Sequence, residues 1–205
     1  MIIVPPSFEF IQEFDGVEML KRIERIGRVC YKSEEKITED SYKKFIAGIV
    51  KRGHESVIEH EKISVKITCD RGVTHEIVRH RLASYSQEST RYCNYAKEQF
   101  GKEITVIKPC FWKEDSKEYA VWKASMEETE QRYFQLIELG ATPQEARSVL
   151  PNSLKTEIVV TMDLREWRHF LRLRTSEASH PQMREVANML LEAFREKIPV
   201  IFDEI

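Results

Sequence analysis

Hydrophobic and polar side chains alternate over residues 62–70, where KISVKITCD places an apolar residue at every second position. A period of two is typical of a β-strand that buries one face. Two further strands are predicted, at residues 103–109 (EITVIKP), where Pro109 ends the strand, and at residues 155–163 (KTEIVVTMD).

Longer stretches have the spacing of amphipathic helices, with apolar residues three or four positions apart. Three ranges follow this pattern: 15–30, about 38–52 and 115–139. Gly53 and Gly140 come after two of them, where glycine commonly ends a helix. A shorter helix is predicted over residues 73–81 (VTHEIVRHR), and it would carry Glu76, Arg79 and His80 on one side.

Polar residues mark the starts of further helices. Thr142 and Glu145 have the spacing of a capping box around Pro143, and Asp163 and Glu166 have the same spacing. The second box opens a helix that ends near residue 174, and a last helix is predicted over about residues 181–197.

These elements indicate the fold class. Few strands and long helices, with no repeat, linker or low-complexity segment, predict an α+β fold. We expect a single mixed domain over residues 1–205, with a small antiparallel sheet flanked by long helices.

Composition and charge argue against several classes of function. The formal net charge is −2 at pH 7, whereas general nucleic-acid binders carry a basic excess. The four cysteines lack C-x-x-C spacing, which argues against structural zinc. No signal peptide opens the chain, and no apolar run approaches the roughly 18 residues of a membrane span. We expect a cytoplasmic protein that binds neither nucleic acid nor membrane.

The segment at residues 79–92 (RHRLASYSQESTRY) concentrates hydrogen-bonding groups, with four arginine or histidine side chains and six hydroxyl groups. Such a cluster suits nucleic acid, a metal or a small phosphorylated ligand, and a solvated loop beside a helix end is the simplest alternative. Guanidinium groups match phosphate or carboxylate, and backbone N–H groups at residues 89–91 would complete a phosphate cradle.

A metal site is the weaker interpretation. His54 and His60 in GHESVIEH (53–60) are six residues apart, so they do not share a helix face as in H-E-x-x-H. We therefore predict no metal site. Arg168 and Arg172 are interpreted as part of a charged helix face. Arg147 is interpreted as a helix-surface arginine whose aliphatic stem lies along apolar neighbours while its guanidinium reaches water.

The quoted segments resemble the flavin-dependent thymidylate synthases. Arg79, His80, Arg81, Ser89 and Arg91 match that family's R-H-R-x(7)-S-x-R pattern. The segments GHESVIEH, HEIVRHR, EARSVLPNSLKT and FLRLRT also occur in the family's order, so the resemblance covers roughly residues 50–195.

The resemblance implies a reaction and an assembly. Members convert dUMP to dTMP, take one carbon from methylenetetrahydrofolate, and pass electrons from NADPH through bound FAD. They are α+β homotetramers whose sites are built from several subunits. All of these small ligands are anionic, which explains local basic pockets on an acidic protein.

The resemblance also implies site residues. The matched flavin positions are His54, Ser56, Arg79, His80, Arg81, Gln87, Asp163, Leu164, Arg165 and His169. The matched nucleotide positions are Glu76, Arg79, Gln87, Glu88, Ser89, Thr90, Arg91, Arg147 and Arg174. Arg147 would reach the nucleotide of a neighbouring subunit, and Arg174 would be the catalytic arginine that activates the uracil.

The sequence departs from the family pattern at three positions. Many members have Asn at Ser86 and Glu at Gln87, and some have His at Ala178. The change at Ser86 keeps hydrogen bonding, the change at Gln87 keeps hydrogen bonding but removes a carboxylate, and Ala178 removes one flavin contact.

Two other functions stay open at this point. A single-stranded nucleic-acid binding module would use the arginines with Tyr85, Tyr92 and Tyr95 as stacking platforms. A metal hydrolase would use His54 and His60. A bound chromophore distinguishes the flavoenzyme from both.

Overall fold

The computed structural model describes residues 1–98 and 101–205, and the described chain forms six strands and seven helices. The strands are β1 (Ile2–Val4), β2 (Ser7–Phe10), β3 (Lys62–Asp70), β4 (Ala83–Gln87), β5 (Thr105–Ile107) and β6 (Lys155–Asp163). The helices are α1 (Gly16–Val29), α2 (Ser41–Lys51), α3 (Arg71–Ile77), α4 (Lys117–Glu138), α5 (Pro143–Ala146), α6 (Leu164–Arg174) and α7 (Pro181–Lys197). Short 3-10 turns include Glu34–Lys36, Glu55–His60 and Arg147–Val149.

The strands form two sheets. The larger is antiparallel with the order β2-β3-β6-β4, and β1 pairs in parallel with β5, with Ile2 opposite Thr105. The apolar positions of β3 are buried as its alternation requires. The predicted α+β class with a small antiparallel sheet is confirmed, and the parallel pair is an addition to it.

The chain divides into two compact units. Unit 1 comprises residues 1–8, 66–79 and 85–159, and unit 2 comprises residues 9–65, 80–84 and 160–205. Whether they form the single predicted domain stays a prediction.

Each unit has its own apolar core. In unit 1, α4 contributes Trp122, Met126 and Tyr133 to a buried cluster with Ile104 and Val106. In unit 2, aromatic rings of α6 and α7 meet, and the centroids of Trp167 and Phe194 are 5.1 Å apart. The indole N–H of Trp167 also donates to the carbonyl of Ile63 at 3.1 Å, which fixes α6 against β3.

Capping chemistry sets where the helices begin. The predicted box at Thr142 and Glu145 is present. The second predicted box is only half formed: Asp163 accepts from the N–H of Glu166 at 2.8 Å, but the carboxylate of Glu166 is bonded to His80. Asp163 therefore still caps the helix, but the carboxylate of Glu166 bonds a buried imidazole and not the backbone N–H of Asp163.

The predicted helix over residues 73–81 is shifted toward the N-terminus. Asp70 caps α3 by accepting from the N–H of Val73 at 2.7 Å, and the helix ends at Ile77. Arg79 and His80 therefore lie beyond the helix, and the expectation that they share a helix side with Glu76 is wrong.

Candidate functional site

Three side chains of α6 share one face of the helix and converge on His80. Positions 166, 170 and 174 are four apart, so at 3.6 residues per turn they form a row about 12 Å long. The His80 ring centroid is 4.8 Å from that of Phe170, and Nδ1 is 3.2 Å from Oε1 of Glu166. Nε of Arg174 donates to Nε2 of His80 at 3.1 Å. His80 and Glu166 are buried and Arg174 is partly exposed, so a buried polar chain ends at a more accessible guanidinium.

These contacts define which nitrogen of His80 carries the proton. A guanidinium only donates, so Nε2 offers its lone pair to Arg174, and Nδ1 donates its proton to Glu166. Burial, helped by the positive charge of Arg174, lowers the pKa of His80 to about 4. Burial also raises the pKa of Glu166. At neutral pH the imidazole is therefore neutral and holds one fixed tautomer.

The same cluster has the spacing of a metal site. Ligand atoms of His80, Glu166 and His169 lie within 4.8 Å of one another. A cation bound through Nδ1 of His80 would displace the proton that faces Glu166, and one bound through Nε2 would compete with the guanidinium of Arg174, so the existing bonds favour the hydrogen-bonded chain. Within residues 1–98 and 101–205, His54 and the other histidine of GHESVIEH are not part of such a cluster.

Five of the predicted flavin contacts are exposed side chains of unit 2: His54, Ser56, Arg81, Arg165 and His169. Their guanidinium, imidazole and hydroxyl groups are suited to an anionic dinucleotide. Arg165 is also paired within the chain, because its Nη1 donates to Oε1 of Glu59 at 2.5 Å. The residues present fit the anionic groups of a flavin dinucleotide.

Two other predicted flavin contacts have structural roles at the start of α6. Asp163 is the N-cap residue described above. Leu164 is fully buried, and its N–H donates to the carbonyl of Glu61 at 3.0 Å. Their assignment to the cofactor stays a prediction, and their observed contacts position the helix that carries Arg165 and Arg174.

The predicted nucleotide positions Glu76, Arg79 and residues 87–91 lie in unit 1. The side chain of Gln87 donates to the hydroxyls of Thr74 at 3.1 Å and Thr156 at 3.4 Å, which anchors the end of β4. Arg79 is exposed and Glu76 is half-buried. Gln87 and Arg79 were also assigned to the flavin, and both assignments stay predictions.

Glu88 is held inside unit 1. Its carboxylate accepts from the hydroxyl of Tyr95 at 3.0 Å and from Nζ of Lys155 at 3.2 Å. Burial, with the negative charge of Glu88, raises the pKa of Tyr95, so the phenol stays protonated and donates. These bonds hold Glu88 in place and thereby restrain the start of the loop that follows β4.

The loop after Glu88 brings several predicted contacts together. The hydroxyl of Ser89 accepts from the N–H of Arg91 at 3.3 Å, and Nη1 of Arg147 donates to the hydroxyl of Thr90 at 3.4 Å. Arg91 and Arg147 are exposed while Thr90 is buried. Unit 1 therefore presents two guanidinium groups beside this turn, which is a suitable arrangement for phosphate. The N–H groups of Arg91, Tyr92 and Cys93 are bonded to Ser89 and hold the turn itself.

Sequence reasoning missed two residues that shape these surfaces. Glu166 was assigned to a capping box, although its position eight residues before Arg174 places both on one helix face. Lys155 was not singled out; its Nζ bridges Glu88 and Glu157, at 3.2 and 2.7 Å. The prediction that Arg168 belongs to a charged helix face is wrong, because its side chain is buried and only 1% exposed.

Of the three tyrosines in the nucleic-acid interpretation, one is buried, one is half-buried and one is exposed. Tyr95 is 6% exposed, and the hydroxyl of Tyr85 donates to the carbonyl of Ile77 at 2.9 Å, which restrains the half-buried ring. Tyr92 is 78% exposed.

No helix among the described residues is both long and apolar enough to cross a membrane.

Comparisons with known proteins agree on one family. The family model described as thymidylate synthase complementing protein matches residues 15–200. A flavin-dependent thymidylate synthase of Pyrococcus abyssi is 42% identical over 173 residues, covering 82% of this chain and 70% of the relative. One from Geobacter sulfurreducens is 34% identical, covering 86% of this chain and 77% of the relative.

A solved structure has the same fold. It is described as the UMP/dUMP methylase PolB from Streptomyces cacaoi bound with 5-Br dUMP. The TM-score is 0.78 at 21% identity, and the match covers 99% of this chain and 96% of that one.

Proposed function

This chain belongs to the thymidylate synthase complementing protein family, that of the flavin-dependent thymidylate synthases, and on that premise we propose that it methylates dUMP to dTMP. Methylenetetrahydrofolate supplies the carbon, and NADPH supplies electrons through bound FAD. The observation that carries the proposal is the guanidinium of Arg174, which lies at the end of α6 and is held there by a hydrogen bond to the neutral His80.

Arg174 provides the electrostatic part of the mechanism. Methylation requires a uracil ring that is electron-rich at the carbon that reacts. A guanidinium beside the pyrimidine stabilises negative charge that develops on a carbonyl oxygen and ring nitrogen, and it does so most strongly where water is excluded. When bound, the flavin supplies the redox chemistry, and the protein supplies position and charge.

The remaining predicted residues bind and orient the ligands. Arg91 and Arg147 are exposed cations suited to the nucleotide phosphate, and Arg81 and His54 are exposed donors suited to the cofactor. Holding the ligands in reactive positions removes much of the entropic barrier. We extend the proposal to a homotetramer in the cytoplasm, as the resemblance to the family implies. The predicted flavin contacts lie on several exposed segments, and this arrangement favours a cofactor shared between subunits.

The visible spectrum of the purified protein tests the flavin assignment. We expect flavin absorbance that bleaches with NADPH and returns after dUMP and methylenetetrahydrofolate are added. A colourless protein that gains no flavin on reconstitution, and whose affinity for single-stranded nucleic acid falls steeply with salt, would support the nucleic-acid alternative instead.

Replacing Arg91 or Arg147 with alanine should raise the KM for dUMP by about tenfold to a hundredfold, because each loses a charge-assisted contact with phosphate. We expect kcat to change much less, since these contacts bind the ground state and transition state alike. Steady-state kinetics measures both constants. Arg132→Ala is the matched control, because Arg132 is an exposed arginine of α4 paired with Glu128. A change confined to kcat would contradict this role.

Replacing Ser89 with alanine should weaken nucleotide binding but retain measurable turnover. A serine is a poor nucleophile without a base held against it, and the adjacent carboxylate of Glu88 is occupied by Tyr95 and Lys155. Intact-mass spectrometry during turnover should therefore detect no nucleotide adduct. An adduct on Ser89 together with an inactive alanine variant would overturn this prediction.

A further inference from the structure

We propose that His80 and Glu166 are positioning residues for Arg174: the carboxylate orients the imidazole, and the imidazole orients the guanidinium. The inference rests on the proposed function, because it assigns the chain of bonds to uracil activation. It also gives His80 a role other than the flavin contact that the resemblance implies.

Both ring nitrogens of His80 are already engaged within the protein. Nδ1 faces Glu166 at 3.2 Å and Nε2 accepts from Arg174 at 3.1 Å. Each ring nitrogen has either one proton or one lone pair in the plane of the ring, so neither is left to bond a cofactor. The imidazole is also 4% exposed, and its chemistry is therefore directed to its two protein partners.

The chain of bonds has one direction. Arg174 donates from Nε–H to His80, and His80 donates from Nδ1–H to Glu166. A neutral imidazole is required, because an imidazolium has no lone pair for the guanidinium and would repel it. The burial that favours neutral His80 thus also preserves the contact with Arg174.

Fixing Arg174 has a direct catalytic use. A free arginine samples many rotamers, and ordering it when the substrate binds would oppose binding and reaction. A bond through Nε restrains rotation of the guanidinium plane near the end of the side chain. Phe170, one helical turn before Arg174, packs against the His80 ring and prevents the imidazole from turning away.

Two substitutions of His80 separate positioning from packing. A glutamine places its amide near the position of Nε2 and can accept from Arg174, whereas an asparagine reaches only near Nδ1. We expect His80→Asn to lower kcat by about tenfold to a hundredfold, with little change in the KM for dUMP. His80→Gln should recover a substantial part of that loss. Flavin affinity, measured by absorbance titration, should be similar in the two variants.

Substitutions of Glu166 test the other end of the chain. Glu166→Gln keeps an acceptor for Nδ1–H, and Glu166→Ala removes it, so kcat should fall more in the alanine variant. Arg172→Ala, an exposed arginine on the same helix, is the matched control and should behave as wild type. Equal kcat in the asparagine and glutamine variants of His80 would overturn the proposal, whatever the thermal stability of the Glu166 variants.

Nitrogen-15 NMR of histidine-labelled protein gives a readout that does not depend on turnover. Protonated and lone-pair ring nitrogens have well-separated shifts, and wild-type His80 should be the neutral Nδ1–H tautomer. The opposite tautomer, in an enzyme that forms dTMP normally, contradicts the positioning chain and leaves the proposed function in place. The expected tautomer in a wild-type protein that forms no dTMP contradicts the proposed function instead.

Discussion

Replacing Arg174 with alanine is expected to lower the turnover of dUMP by about a hundredfold or more while leaving FAD bound. The guanidinium lies at the end of α6, and its Nε donates to His80. In the proposed mechanism, this substitution eliminates the donor that stabilises negative charge on the pyrimidine in the transition state. Single-turnover formation of dTMP measures the loss, and flavin absorbance after gel filtration measures retained cofactor.

The position of Arg174 permits a close control. Arg172 lies two residues earlier on the same helix, and its side chain is 57% exposed. Its Nη2 is 3.9 Å from Oε1 of Glu204. Because exposed ion pairs contribute little, Arg172→Ala should keep near-normal turnover. Near-normal turnover of Arg174→Ala would remove this residue from the mechanism.

Replacing Arg168 with methionine is expected to lower the free energy of unfolding by about 3 kcal/mol. This guanidinium is 1% exposed, bonds Glu55 at 3.1 Å, and also donates to Glu204 and to the carbonyl of Ile201. Methionine keeps much of the apolar stem, but it leaves a largely buried carboxylate and a carbonyl without their donor.

Urea unfolding followed by tryptophan fluorescence measures this loss at one fixed protein concentration, which matters if the protein is an oligomer. Arg172→Met provides the comparison and should change stability by no more than about 0.5 kcal/mol. If both methionine variants were equally stable, the contacts of Arg168 would contribute no net stability.

Elements with a strong local signal were predictable from the sequence. The alternation in β3 and the apolar spacing of α1 and α4 each depend on the residues of one segment. By contrast, β4 has the sequence ASYSQ and lies at an edge of its sheet with no residue fully buried. Its strand conformation depends on pairing with another segment, which a local pattern does not reveal.

The site was predictable only in part, for a similar reason. The resemblance identified His80 and Arg174, which are 94 residues apart in the chain. It did not predict their bond, or the contact between Glu166 and His80, because the end of α3 was predicted too late and Glu166 also had a sufficient local role as a cap. Arg168 was misassigned because its partners Glu55 and Glu204 are distant in sequence.

The most direct test of the central claim is the mass of the nucleotide formed from dUMP. The purified protein is incubated with FAD, NADPH, dUMP and methylenetetrahydrofolate labelled with carbon-13 in the transferred carbon. We predict dTMP that carries the label and requires both the flavin and the folate. A protein that binds flavin yet returns unchanged dUMP under these conditions would contradict the account.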